Sequence, residues 1–368
     1  MGAGAALAGS GCGRWRRGSE LAVALLVPKT GDRAPWGEDL LHGVELAVEQ
    51  QNLRGGVNGR RLRLVALDTE SREARAATLT ARAIERESPL CVFGEVSSVA
   101  NERGAAAAQR RGAVFIATAS TARDVSRVGD FVFRTAVTDA EQAQAIARYS
   151  RQSLQKRRAA VIYRRRSLLH VSMADAFQTA FRAAGGELAL RDSYTDDTEL
   201  VRLAARLRGS GADVVYAPAA SEDAGRLAVA LHQGRGSVQI VGGDGWASPE
   251  VRRYAQDAVD GVLYTDAFSA TAQRPEVESF VAAFRERHRA SPGTFAALGY
   301  DALRWVVQAA LRLPQTDARL LRDALLNTSL RDAVANPFTV DARRSLSRPV
   351  CVMRWEADGP ALAATQSA

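Results

Sequence analysis

Residues 22–71, AVALLVPKTGDRAPWGEDLLHGVELAVEQQNLRGGVNGRRLRLVALDTES, constrain the fold more than any other stretch. An apolar run at 22–28 gives way to a loop at 29–36 that carries Gly31 and Pro35. Beyond it Leu40, Val44, Ala47 and Val48 stand at i, i+4, i+7 and i+8, the spacing of one apolar helix face. The Gly55-Gly56 and Asn58-Gly59 pairs then mark a turn before a second apolar run at 62–67. Strand, helix, strand in this order is a βαβ unit, and its right-handed crossover demands a parallel sheet. Ligands of such sheets sit beyond the carboxyl ends of the strands, so the 29–36 loop should face a site.

The pattern repeats. Strands are expected at 21–27, 62–68, 90–94 and 113–117, with helices at 38–52, 71–87 and 98–111 between them. An apolar run at 131–135 precedes a crossing segment at 137–139. A second series then begins, with strands at 159–163, 187–191, 213–217, 238–241 and 260–264. Its helices are expected at 139–153, 171–184, 197–208, 221–233 and 249–255. Helices at 274–289, 294–312 and 316–327 follow without strands between them, as if the chain returned to cover the first sheet. Apolar runs at 338–340 and 349–355 would add edge strands. A chain of 368 residues exceeds the usual size of one core, so two α/β lobes are the natural reading.

Several function classes lose support at this level. No run of 18 apolar residues exists to span a membrane. The net charge of +8 comes from arginines dispersed over many helices, among them Arg72, Arg75, Arg82, Arg202 and Arg206. Nucleic-acid binding would want them gathered on one element, so solvated helix faces are expected instead. One dense run, Arg164-Arg165-Arg166, either faces solvent or meets an acidic group of a ligand. His42, His170, His232 and His288 are scattered and the cysteines have no ligand spacing, so no metal or other cofactor is expected. No Gly-x-Ser-x-Gly elbow or phosphate-binding glycine loop is present, and the chain does not read as an enzyme. Cys91 and Cys351 lie in apolar runs and read as buried thiols, whereas Cys12 in LAGSGCG reads either as a loose lipoprotein signal or as part of a disordered tail.

The candidate site residues stand at strand ends. Ser97 and Ser98 precede a helix, where a serine oxygen can cap unpaired amides or the helix end can receive a carboxylate. Ala119 and Thr121, in ATAST, are small or hydroxylic residues that would let backbone approach a ligand. Asp244, between glycines in VGGDGWAS, is either a turn former or the partner of a cation. Trp36 and Trp246 project from loops and could wall a cleft or pack beneath those loops. Ser221, after Ala220 at another strand end, is a weaker candidate.

The segments TGDRAPWG (30–37), HGVELAVEQQN (42–52), GGVNGRRLRLVALD (55–68), FGEVSS (93–98), FIATAST (115–121), GGDGWAS (242–248) and GYDAL (299–303) recur in an order that resembles the type I periplasmic binding proteins. The resemblance is to the leucine/isoleucine/valine-binding group of ABC-transporter receptors, and it extends from about residue 20 to 358. It implies two doubly wound Rossmann-like lobes joined by a three-segment hinge, with crossings near 137, 266 and 341. Lobe I would comprise 20–137 and 267–340, lobe II 138–266 and 341–358, with tails at 1–19 and 359–368. The implied function is capture of an amino acid or related zwitterion by hinge closure and delivery to an ABC permease. Sensing through a regulator or kinase is the alternative. The implied location is periplasmic or extracytoplasmic, with a lipid anchor at Cys12.

By the same resemblance Ser98 would bind the ligand carboxylate, with Ser97 its neighbour if the register slips. Ala119 would offer backbone, Thr121 a hydroxyl or amide, and Asp244 would pair with the ammonium group. The chain departs from the family after strand 159–163. There YRRRSLLHVSMADAF places Leu169 and His170 where a cleft tyrosine and a glycine are expected, which leaves the ligand's identity open.

Overall fold

The structure is a computed structural model that describes residues 20–122, 125–232, 238–341, 344 and 346–367. The expected tail at 1–19, with Cys12, lies outside the described residues. The first lobe begins with β1 (Glu20–Val27), α1 (Ala34–Leu53), β2 (Arg61–Asp68), α2 (Ala76–Glu87) and β3 (Val92–Phe93). It continues with α3 (Ser98–Gln109), β4 (Phe115–Ala117) and β5 (Val132–Arg134). The second series is α4 (Asp139–Gln152), β6 (Arg158–Arg164), α5 (Leu168–Ala183), β7 (Glu187–Tyr194), α6 (Asp197–Ser210) and β8 (Val214–Tyr216). It closes with α7 (Ser221–His232), β9 (Gln239–Gly242), α8 (Pro249–Ala255) and β10 (Leu263–Asp266). Then come α9 (Pro275–His288), α10 (Thr294–Ala310), α11 (Ala318–Leu326), β11 (Thr339–Val340), β12 (Leu346–Ser347), β13 (Val350–Glu356) and β14 (Gly359–Gln366).

Two parallel sheets carry the architecture. The first runs β2-β1-β3-β4-β5 and the second β7-β6-β8-β9-β10, so both halves share one strand order. β13 and β14 extend the second sheet as an antiparallel hairpin beside β10. In each sheet the order reverses at one place, between β1 and β3 and between β6 and β8. Helices entered from those neighbouring strands leave to opposite faces, which opens a crevice at the carboxyl ends. Both faces of each sheet are covered: α1, α9 and α10 pack against one side of the first sheet and α2 and α3 against the other. On the second sheet α4 and α5 share one face, while α6, α7 and α8 share the other. The buried strands read as unbroken apolar runs for this reason; Val23 to Val27 have no measurable exposure.

Two sequence expectations need correction. Residues 359–366 are not a tail but β14, paired with β13 from Val350–Gln366 to Glu356–Gly359. Its alternation of half-buried and exposed residues (GPALAATQ) is too weakly apolar to signal a strand alone, and pairing with β13 supplies the order. α1 starts at Ala34 rather than 38, because Pro35 occupies the first turn, where its missing amide proton costs nothing.

α1 and α10 pack across the first lobe at a crossing made of glycines. A β-carbon on Gly43 would sit 2.0 Å from the Ala296 carbonyl oxygen. Gly43→Ala is therefore expected to push the helices apart and destabilise the protein by about 1–3 kcal/mol. A denaturation midpoint unchanged from wild type would refute this account of the crossing.

Candidate functional site

At the first sheet's switch point the chain turns from β3 into α3 around a buried carboxylate. Glu95 accepts from the Ser97 amide at 2.6 Å and from Thr69 Oγ1 at 2.6 Å. Asn101 Nδ2 donates to the Ser97 carbonyl at 2.8 Å, which holds the helix entry rigid. These contacts divide the two serines. Ser97 is the N-cap, its Oγ accepting from the Ala100 amide at 3.4 Å. Ser98 has no capping duty; its Oγ accepts from Ser120 Oγ at 3.0 Å. That bond ties the start of α3 to the loop after β4. There Ala119 and Ser120 are buried and Thr121 is half-buried.

Thr121 leads into the second lobe. Its carbonyl accepts from the Asp139 amide at 3.2 Å, and its side chain hydrogen-bonds the Asp139 carboxylate. Asp139 opens α4, whose entry is a capping box between Thr138 and Glu141. Three residues on, Gln142 Nε2 donates to Asp244 Oδ2 at 2.9 Å, and Thr265 Oγ1 holds the amide's other end at 2.8 Å. Asp266, the last residue of β10, accepts from Thr294 Oγ1 at 2.6 Å, at the start of α10.

Asp139, Asp244 and Asp266 thus form an acidic cluster between the lobes. Burial and the charge of Asp244 push both Asp139 and Asp266 up to about 7. Burial raises Asp244 as well, against the hydrogen bond from Gln142. The Tyr216 hydroxyl, fully buried beside Asp139 and Asp244, has no hydrogen-bond partner among the described residues. Among the described residues, no group of three or more histidine, cysteine, aspartate or glutamate side chains is arranged to hold a metal ion. What such a cluster fits is an organic cation: carboxylates that repel one another release that strain when an ammonium group pairs with them. Asp139 and Gln142 escaped sequence reasoning. Their only local signal was the Thr-Asp-x-Glu helix start, which reads as capping.

The remaining candidates divide. Trp36, in the first turn of α1, is 41% exposed, its ring 6.1 Å from that of Phe295. Trp246 is fully buried, which corrects its reading as a cleft wall. Its Nε1 donates to the Ala217 carbonyl at 2.8 Å and its ring lies on Gly242, so it packs beneath the loop that carries Asp244. Leu169 is half exposed in the first turn of α5, and Ser221, half-buried, opens α7. Of the arginine run, Arg166 is exposed, while Arg165 hydrogen-bonds Ser193. Arg164 is not a solvent residue: it forks onto Asp223 at 2.7 and 2.5 Å beneath the Tyr194 ring. A groove of about 860 Å³, lined by Lys29, Glu45, Glu49, Leu53, Arg61 and Arg287 among others, lies on the outer edge of the first sheet and includes none of the candidate site residues.

Comparison with known proteins adds the following. A family model described as periplasmic binding protein matches residues 20–360. A Leu/Ile/Val-binding protein homologue from Brucella melitensis is 26% identical over 342 residues, 92% of each chain. A branched-chain amino acid transporter substrate-binding protein from Streptococcus pneumoniae, solved with isoleucine, superposes with a TM-score of 0.80 at 23% identity, covering 95% of this chain and 99% of that one. A solute-binding protein from Rhodopseudomonas palustris in complex with benzoate superposes at 0.76 and 22% identity, covering 94% and 96%.

Proposed function

This chain belongs to the periplasmic binding protein family, and from that premise we propose that it captures an α-amino acid between its lobes and delivers it to an ABC permease. It is an extracytoplasmic binding receptor rather than an enzyme. The observation that carries the reading is the run of contacts from Ser98 through Ser120, Thr121 and Asp139 to the carboxylates beside Asp244. The amides and hydroxyl at the α3 start suit a carboxylate, with the small Ala119 leaving backbone within reach, and the acidic cluster suits an ammonium. A zwitterion satisfies both at once. Ser97, as cap, keeps Ser98 in place, and Trp36 and Leu169 line the approach.

Lobe I is taken as 20–137 with 267–340, and lobe II as 138–266 with the segment from 341 onward that includes β14. A ligand touching both lobes favours the shut arrangement over the open one in proportion to its extra contacts. A permease can then distinguish loaded from empty receptor. The transporter relatives favour delivery over signalling as the outcome of closure.

Calorimetry with a panel of amino acids tests the proposal, each paired with its deaminated acid and its decarboxylated amine. The amino acid should bind far more tightly than either partner; binding of the deaminated acid alone, as the benzoate-bound relative would suggest, would defeat it. Ser98→Ala should weaken the amino acid by about 1–1.5 kcal/mol, roughly tenfold, and leave the decarboxylated amine untouched. Equal weakening of both would return Ser98 to a purely structural role.

The acidic cluster makes two pH dependences of opposite sign. Free Asp titrates at about 3.9, so between there and 7 the folded protein holds protons that the unfolded chain has released. These groups therefore stabilise the empty protein fully below pH 4, and that contribution disappears as pH rises through about 7. Affinity for an ammonium ligand should rise over the same interval as the carboxylates ionise. Melting and binding measured from pH 5 to 8 should diverge; a parallel trend would contradict the assignment.

A further inference from the structure

Buried side chains mark how little chain passes between the two lobes. Ala136 packs in the core of the first lobe and Ala143 already under the second sheet, with Thr138 capping α4 between them. Tyr264 belongs to the second core and Phe268 to the first. In the third segment Leu346 still packs in the first core, while Cys351 packs in the second. Arg348, only 2% exposed, sides with Leu346. Its Nη1 donates to the Ala335 carbonyl at 3.0 Å, and its guanidinium lies 4.7 Å from the centre of the Phe338 ring. Pro349 and Val350 are left to make the crossing. Val350 meets Val137 of the first segment and Ala145 of α4 in a small core of their own.

Arg348 is held by a clamp on the loop 333–336 of the first lobe. The Asp301 carboxylate, on α10 and without exposure, accepts from the Val334 and Ala335 amides, both at 2.9 Å, and supplies the charge opposite Arg348. Arg274, just before α9, donates to the Val334 and Ala333 carbonyls at 3.4 and 2.5 Å and to Asn336 Oδ1 at 3.2 Å. Asn336, at a φ of +75°, donates from Nδ2 to the Pro349 carbonyl at 3.2 Å and to Cys351 Sγ at 3.4 Å. Chain leaving the second crossing and chain entering the third are thus fastened to one loop. In the second lobe β10 and β13 are already paired, with Asp266 opposite Cys351.

We propose that Arg348 and Asn336 pin the hinge, so that the third crossing lies at Pro349–Val350 rather than near 341. Leu346 to Arg348 then move with lobe I, and the clamp confines closure to the short transits at 137–138, 266–267 and 349–350. A side chain that merely filled this space would be apolar. The Nε and Nη2 protons of Arg348 have no hydrogen-bond partner among the described residues, a cost that an apolar side chain of similar volume avoids. What the guanidinium secures instead is position: it ties the segment to Ala335 and Asp301 at the last residue before the crossing. Pro349 adds stiffness there, because its ring fixes φ.

The test is a distance measurement on the ligand-free full chain by electron–electron double resonance. Spin labels at Arg86→Cys in α2 and Arg182→Cys in α5, both exposed, report the separation of the lobes. Labels at Arg86→Cys and Glu286→Cys in α9 report lobe I alone. Cys12→Ser confines labelling to these sites, since Cys91 and Cys351 are buried. Arg348→Met and Asn336→Gly should each widen the interlobe distribution at least twofold and leave that of lobe I at its wild-type width. Arg348→Lys should return most of the interlobe width to wild type. Melting curves report folding; if R348M does not fold, N336G decides, because glycine accepts the positive φ without strain. An unchanged interlobe width in a folded variant, or equal widening within lobe I, overturns the inference and makes the clamp a support of lobe I only. Neither result bears on the amino-acid reading, which ligand affinity tests.

Discussion

Asp244→Ala is expected to abolish most amino-acid binding, by about 2–5 kcal/mol, the usual loss when one member of a desolvated charge pair is removed. Asp244 sits after β9, steered by Gln142 Nε2 at 2.9 Å, and its charge acts on both Asp139 and Asp266. In the empty protein that charge is a liability, since it helps push the neighbouring carboxyls up to about 7. Its removal should therefore lower Asp139 and Asp266 somewhat, burial still holding both up, and raise the stability of the empty protein near neutral pH. Two readouts move in opposite directions: calorimetric affinity collapses while the ligand-free melt rises. Asp244→Asn should do the same with less disturbance of the loop. Unchanged affinity in both variants would remove Asp244 from the site and, with it, the zwitterion reading.

Trp246→Ala should be the most destabilising single change in the second lobe. The side chain has no exposed surface, donates to the Ala217 carbonyl at 2.8 Å, and lies against Gly242. Its own carbonyl accepts from Trp355 Nε1 at 3.0 Å, which fastens the loop to β13. Removing a buried ring of this size costs about 3–5 kcal/mol, because the walls cannot collapse onto the space. Trp246→Phe should lose less, about 1–3 kcal/mol, since an aromatic ring still fills most of the space while the Ala217 carbonyl is stranded and a smaller cavity is left. Chemical denaturation of the ligand-free protein measures both. A wild-type midpoint for Trp246→Ala, with loss restricted to ligand affinity, would make Trp246 a cleft residue after all.

Ser97 and Ser98 show how far adjacent residues can be told apart in advance. Each has the side chain for capping or for ligand contact; the direction of the helix start makes Ser97 the cap and turns Ser98 toward Ser120. The two loop tryptophans looked alike as well. Trp36 stands in the first turn of α1, whereas Trp246 is drawn under its loop by Gly242 and the Ala217 carbonyl. Arg164 could be read only as facing solvent or a ligand's acidic group, because its partner Asp223 lies 59 residues away on another helix.

Apolar runs, helix periodicity and turn residues are local, so the alternation of strands and helices, the parallel sheets and the ends of strands that face a site were all present in the residue order. Strand order, and the meeting of Asp139 with Asp244, arise between segments that have no contact until the chain has folded. Charge repulsion, burial and the pairing of polar atoms depend on those meetings. The amino-acid order therefore set what kind of molecule this is, while packing set which of its hydroxyls, carboxylates and rings are free to hold a ligand.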